Sequence, residues 1–193
     1  MFCSGNEQNL VGTAYSAARV GVSIDFRNAF WSCSPDHPVR KRDVFDRLLR
    51  EIEAVVDSSL GREEKLKRVC ELLAGSVDYY DWVGFYLVDE AKGNELVLGP
   101  FVGEPTEHVR IPFGRGVCGR AAVELKTIIV QDVSKETNYL ACSPLVKSEI
   151  VVPIFREGNF VGELDIDSHQ LAPFTEEDRE FLEKVANLVA KVL

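Results

Sequence analysis

From Asp43 onward the apolar residues of this chain fall into two successive periods. Val44, Leu48, Leu49, Ile52, Val55, Val56 and Leu60 recur at helical spacing, which predicts a helix with Asp43 as its N-cap and Gly61 as its stop. A second helix is expected from Glu63 to about Val77, with Leu66, Val69, Cys70 and Leu73 on its apolar face. From Trp82 the period shortens to two. Trp82–Val88 and Glu95–Phe101 read as strands joined across a turn at Lys92-Gly93-Asn94. Val109–Pro112 and Thr127–Val130 read as short strands flanking one or two helical turns at Ala121–Leu125. An irregular stretch from Gln131 to Lys147 precedes two further strands, Glu149–Phe155 and Asn159–Asp167, joined by a tight hairpin at Arg156–Gly158. A closing helix is expected over Glu176–Leu193. Thr175 and Asp178 are spaced as a capping box before it, and Phe181, Leu182, Val185, Leu188, Val189 and Val192 form its stripe.

This order predicts an α+β domain over 43–193. It has a mostly antiparallel central sheet, N- and C-terminal helices packed on one face, and a loop-covered pocket on the other. Residues 1–42 carry neither period. Rich in Ser, Asn, Gly and Ala, with Pro35 and Pro38, they read as an extension without an assigned role.

Composition narrows the class of function. The chain of 193 residues is 46% hydrophobic and 27% charged, as expected for a globular protein with a sizeable core. A net charge of −9, with Arg40-Lys41-Arg42 as its one basic cluster, argues against a nucleic-acid partner. Neither an apolar run of about 18 residues nor a secretory leader is visible, so a cytoplasmic protein with no membrane partner is expected. The five cysteines form no CxxC pair, and their odd number excludes a complete disulfide framework. No metal cluster is expected from their spacing. Cys70, beside Val69 and Leu73, reads as a small buried hydrophobe; Cys3 and Cys33 carry no usable signal.

Candidate chemistry concentrates between Phe113 and Glu149. Cys118 sits among glycines and Cys142 lies 24 positions later, before Ser143-Pro144, with the carboxylate of Glu149 beyond it. Gly114-Arg115-Gly116-Val117-Cys118-Gly119 matches GxGxxG, and Asp132 falls near the position of a ribose-binding acid. The match lacks its frame, because the preceding strand is short and alternating and the following helix has room for only two turns. The glycines are instead expected to shape a tight turn that brings Cys118 close to other backbone. Trp82, Gly84 and Tyr86 share one strand face, where the two aromatic rings either pack in a core or wall an apolar slot. Glu163, Asp165 and Asp167 also share one face, away from Leu164 and Ile166. Glu163 reads as solvated. Asp165 and Asp167, joined by Glu149 from the neighbouring strand, form a cluster in which one carboxyl keeps its proton and can serve as a general acid. His108 reads as a polar residue before a strand, and His37 and His169 as turn residues without companions.

DWVGFYL at 81–87, LVLGPFVG at 96–103, VRIPFGRGVCG at 109–119, QDV at 131–133, YLACSPLVKSEIVVPI at 139–154 and GELDIDS at 162–168 together resemble one family in order and spacing. It is the free methionine-(R)-sulfoxide reductases, single GAF-domain enzymes, and the likeness covers about residues 44–193. The resemblance implies reduction of free methionine (R)-S-oxide, with Cys142 at the position of the catalytic cysteine. Its thiolate would attack the sulfoxide sulfur, release methionine and become a sulfenic acid. Glu149, Asp165 and Asp167 match the acids that bind the substrate's polar end and assist proton transfer, and Trp82 and Tyr86 match the aromatic wall near its methyl group. The pattern departs at His108, where the family commonly carries a further, resolving cysteine. Cys118 remains to condense with the sulfenic acid, giving a disulfide for thioredoxin or a similar dithiol, or else an external thiol acts directly. No bound cofactor is implied, and domains of this kind often form homodimers through terminal helices. The readings from other classes are a non-catalytic GAF sensor of a small ligand and a redox sensor signalling through a Cys118–Cys142 bridge.

Overall fold

The computed structural model describes residues 40–137, 139–140 and 143–193; expectations for residues 1–39, among them Cys3, Cys33 and His37, lie outside that range. The chain enters through α1 (Lys41–Asp57) and α2 (Arg62–Ser76). α1 starts two residues before the expected cap. Asp43 therefore lies in its first turn, accepting hydrogen bonds of 3.1 and 2.9 Å from the Arg40 guanidinium. Its buried stripe is Phe45, Leu48, Ile52 and Val56. Phe45, absent from the expected face, stacks on Phe181 of the C-terminal helix with ring centroids 4.1 Å apart. The helix ends at Asp57, where the Ser58 hydroxyl and amide both donate to the Val55 carbonyl. Leu60 lies beyond it and is exposed, and Gly61 occupies the N-cap position of α2 instead of stopping α1.

Six strands follow: β1 (Trp82–Val88), β2 (Glu95–Val102), β3 (Arg110–Pro112), β4 (Ile128–Val130), β5 (Ser148–Arg156) and β6 (Asn159–Ser168). They form one sheet in the order β3-β2-β1-β6-β5-β4, with every pairing antiparallel. The strands nearest the chain's two ends, β1 and β6, therefore meet at its centre. The β5–β6 hairpin closes on the pair Arg156–Asn159, with Glu157 at φ 52° and Gly158 at φ 80°. Two successive positive φ values identify a type I′ turn, whose twist matches that of the strands it joins.

Alternation sends the two faces of the sheet to different cores. Val83, Phe85, Ile150, Val152, Ile154, Leu164 and Ile166 pack against α1, α2 and α4 (Glu176–Val189). Trp82, Tyr86, Leu96, Ile111 and Val151 face the other way, against Val117, Cys118, Ala121 and Ala122 of α3 (Gly116–Glu124). That second face was expected to carry loops, and it carries this helix as well. α3 also begins five residues before the helical turns expected at Ala121. Two glycines in its first four residues weaken helix propensity, and tertiary contact overrides it. A Cβ on Gly119 would lie 2.6 Å from the Pro112 carbonyl oxygen, so glycine is what lets α3 dock on the backbone of β3.

α4 is fixed by a knot of hydrogen bonds on Asp178. Thr175 and Asp178 form the expected capping box. The same carboxylate accepts from the Thr175 amide (2.6 Å) and hydroxyl (2.8 Å), from Tyr79 (2.7 Å) and Tyr80 (3.0 Å), and from the Lys41 amine. Burial works to raise the Asp178 pKa, but Lys41, Thr175 and Tyr79 outweigh it and leave the carboxyl below its usual range. Asp178→Ala removes a buried carboxylate and leaves five donors without their acceptor, so a loss of about 2–4 kcal/mol is expected in denaturant unfolding. The sign with pH is fixed by the lowered pKa. The contribution is present above the unfolded-state value and is lost as pH falls through the folded one, and Asp178→Asn should flatten that acid limb.

Among the described residues no helix is long and apolar enough to cross a membrane.

Candidate active site

β6 presents Glu163, Asp165 and Asp167 to the second face, and the register sets what each meets. Glu163 lies between Tyr86 of β1 and Pro153 of β5, Asp165 between Gly84 and Val151, and Asp167 between Trp82 and Glu149. The aromatic residues and the acids are thus cross-strand neighbours. Glu149, the second residue of β5, is 4% exposed, and the three β6 acids are completely buried. The solvated reading of Glu163 is therefore overturned. Period-two alternation tells which face a side chain takes, and α3 covering that face is a long-range fact the alternation does not contain.

α3 delivers the thiol. Cys118, expected in a loop, is the third residue of this helix and is 4% exposed. Its Sγ lies 3.3 Å from Asp165 Oδ2 and 3.8 Å from Glu149 Oε1. The glycine run does form the expected tight turn. Gly116 adopts φ 65°, the Gly114 amide donates to the Gly119 carbonyl at 2.7 Å, and Gly119 lies against Pro112 as described above. The dinucleotide frame is absent: β3 runs antiparallel to β2, and Asp132 accepts from the Ser134 amide and hydroxyl as the cap of a 3-10 turn over Val133–Lys135.

Opposite the acids, Trp82 stacks with Tyr86 (centroids 6.2 Å) and Phe101 (5.5 Å). Two glycines seat the indole. A Cβ on Gly84 would lie 2.3 Å from the ring, and one on Gly103, at φ 132°, would lie 2.4 Å from it. The indole N–H donates to the Glu104 carbonyl (3.1 Å) and the Tyr86 hydroxyl to the His108 carbonyl (2.9 Å). Both polar handles are thus directed into the β2–β3 loop.

Burial dominates the electrostatics of this cluster. It pushes Glu149 well above the usual carboxylate range, helped by the charges of Asp165, Asp167 and Glu163 and opposed by the Cys118 hydrogen bond. Burial likewise lifts Asp165 to about 7, against hydrogen bonds from Cys118 and Glu149. These two carboxyls therefore hold a proton between them at neutral pH. Glu163 also rises well above its ordinary value through burial, with the nearby Cys118 thiol opposing and Asp165 adding to the rise. Among the described residues neither Glu163 oxygen has a partner in hydrogen-bonding geometry, so the thiol is close enough to be felt without satisfying the carboxyl.

Cys142 lies outside the described residues, as does Ala141. The flanking residues are placed. Leu140 packs beside Gly116, and the buried Ser143 hydroxyl donates to Glu104 Oε2 at 2.8 Å. Arg120 of α3 pairs with Glu136 at 2.9 Å. Glu104 and Arg120 were not identified from the sequence, and nothing in their local pattern marks them. Cys70 is buried as expected, its thiol pushed up to about 12 by burial. His169, read as lacking companions, donates its amide to Asp81 (2.7 Å) and brings its ring within 3.4 Å of the same carboxylate.

The arrangement offers a thiol, a proton shared between carboxyls, a group of buried carboxyls suited to a cation, and a pair of aromatic rings. Comparison with known proteins gives it a family. Residues 61–193 match the GAF domain. The chain is 38% identical to the free methionine-R-sulfoxide reductase of Saccharomyces cerevisiae over 79% of its own length and 87% of that protein. The structure of the free methionine-R-sulfoxide reductase of Neisseria meningitidis in complex with its substrate superposes with a TM-score of 0.72 at 42% identity, covering 77% of this chain and 87% of that one. A putative GAF sensor protein from Burkholderia vietnamiensis superposes with a TM-score of 0.74 at 34% identity, covering 79% and 98%. With this fold, and relatives matched over most of their length, the chain belongs to the GAF-domain free methionine-R-sulfoxide reductases.

Proposed function

We propose that the protein reduces free L-methionine (R)-S-oxide to L-methionine at the expense of thiols. The observation that carries this reading is the Cys118 thiol set 3.3 Å from Asp165 and 3.8 Å from Glu149, in a fully buried acid cluster facing Trp82 and Tyr86. A free amino acid brings an ammonium group that three carboxyls can hold, and a methyl sulfoxide brings an apolar end suited to aromatic faces. Glu149, Asp165 and Asp167 take the ammonium, and Trp82 and Tyr86 flank the methyl group.

Cys142 is assigned as nucleophile from its place in the family pattern. Its thiolate attacks the sulfoxide sulfur and the oxygen takes a proton from the Glu149–Asp165 pair. The S=O bond is broken as the oxygen passes to the cysteine, which leaves free methionine and Cys142 sulfenic acid. Cys118 then condenses with the sulfenic acid, giving a disulfide and water, and a dithiol of the thioredoxin class returns both cysteines to thiols. Summed, one sulfoxide and one dithiol become one thioether, one disulfide and one water. The only electron source this scheme needs is the external thiol.

The test is consumption of free methionine (R)-S-oxide with dithiothreitol or thioredoxin as reductant, beside the S epimer and the N-acetylated R-sulfoxide. Turnover is expected for the free R epimer. Acetylation removes the charge that the carboxyls hold, so kcat/KM should fall at least about 100-fold. Binding of the free R-sulfoxide without turnover would replace this reading with that of a ligand sensor.

A further inference from the structure

We propose that Cys118, Glu149 and Asp165 form a binding site for one thiophilic divalent cation of the Zn2+ class, with the fourth position left to water or a small ligand. The donor atoms of the first three residues lie within 4.8 Å of one another, and all three are buried. In a tetrahedral zinc site with Zn–S about 2.3 Å and Zn–O about 2.1 Å, sulfur and oxygen ligands stand about 3.6 Å apart. The Cys118 sulfur stands 3.3 Å from Asp165 Oδ2 and 3.8 Å from Glu149 Oε1, either side of that edge length. The donor set is mixed, and the thiolate favours zinc over magnesium or calcium.

Glu163 is the independent observation. It is completely buried on the same strand face as Asp165, near enough to the Cys118 thiol to be influenced by it, and among the described residues neither of its oxygens nor Asp165 Oδ1 has a partner in hydrogen-bonding geometry. Buried carboxyl oxygens in that state favour a cation or a further donor. On binding, the Cys118 thiol proton and any proton held between the carboxyls leave to solvent, and the thiolate and two carboxylates face the two charges of the ion. The inference rests on the reductase reading in one respect. The carboxyls proposed to hold the substrate ammonium would be taken by the metal, making zinc an inhibitor competitive with substrate that a chelator reverses and a phosphine reductant does not.

The experiment uses the full chain, stripped with a chelator and reduced with a phosphine, since dithiols bind zinc themselves. Zn2+ is titrated against a chromophoric chelator, and Co2+ is added in parallel to report thiolate ligation by its charge-transfer absorption. One equivalent with Kd below about 1 μM is expected. Cys118→Ser should weaken it at least about 100-fold and abolish the Co2+ thiolate band, and Glu149→Gln should weaken it about 10–100-fold. Cys142→Ser should leave both unchanged. Thermal melts establish that each variant is folded; should Cys118→Ser fail that control, Glu149→Gln and the wild-type Co2+ band decide. Absence of stoichiometric binding overturns the site, as does binding that survives Cys118→Ser or is lost in Cys142→Ser. Reductase activity is measured on the chelated protein. Activity without zinc binding removes this inference alone, whereas zinc binding without activity keeps the site and removes the reductase reading.

Discussion

Cys142→Ser is expected to release no methionine from the free R-sulfoxide, with any reductant. Attack on the sulfoxide sulfur has to end with the oxygen bonded to the nucleophile's own sulfur. A serine in that position would have to form an oxygen–oxygen bond instead, so its residual rate should be background, not a slowed reaction. Cys118→Ser is expected to differ in kind. It should release one equivalent of methionine per protein in a single turnover and then stop when thioredoxin is the reductant, because the thiol that forms the disulfide is gone. Rapid-quench measurement of methionine per protein separates the two. Unchanged thioredoxin-supported turnover in Cys118→Ser would mean that Cys142 is reduced directly from outside. The reverse pattern, with Cys118→Ser silent and Cys142→Ser giving one equivalent, would exchange the two roles, for which the position of Cys118 beside Asp165 leaves room.

Glu149→Gln is expected to lower kcat/KM by about 10²–10⁴-fold while leaving the fold intact. The amide keeps the shape of the side chain and its reach toward Cys118 and Asp165, and it loses both the transferable proton and the charge that attracts an ammonium. Because Glu149 sits across from Asp167 and within reach of Asp165, the variant also removes repulsion among buried acids, so its unfolding midpoint should rise. Greater stability with lower activity is the signature expected of a functional charge cluster, and a stability loss of similar size would mark Glu149 as structural. Steady-state kinetics and a denaturant titration on the same protein give both numbers.

The sheet was legible because each strand carries its own alternation and its own turn residues. The expected β5–β6 hairpin and the face shared by Trp82, Gly84 and Tyr86 are where the pattern put them. The capping box at Thr175 was legible for the same reason, since four consecutive residues contain it. What local pattern does not hold is what covers a face. Glu163 was read as solvated because its polarity was visible and the helix above it was not. α3 itself was misjudged, since glycines that weaken a helix in isolation are required where Gly119 touches Pro112. The Asp178 knot was half seen. Its capping partner is three residues away, but Lys41 is 137 positions away and Tyr79 is 99. Phe45 escaped the α1 stripe until Phe181 supplied the surface it stacks on. Cys118 was singled out for its neighbours in the chain, whereas its chemistry comes from Glu149 and Asp165, which only the closed sheet brings to it.

The docking of α3 has a kinetic consequence. Gly119 has no clearance against Pro112, the Gly114 amide is bonded to the Gly119 carbonyl, and Arg120 is paired with Glu136. The Cys118 sulfur is therefore a stationary target, held at a fixed depth beneath the protein surface. A sulfur supplied by a reductant has to be carried to it. The pace of its reduction by an external thiol is then set by the transport of the incoming sulfur, and solvent viscosity should slow that phase while leaving the exchange chemistry itself untouched.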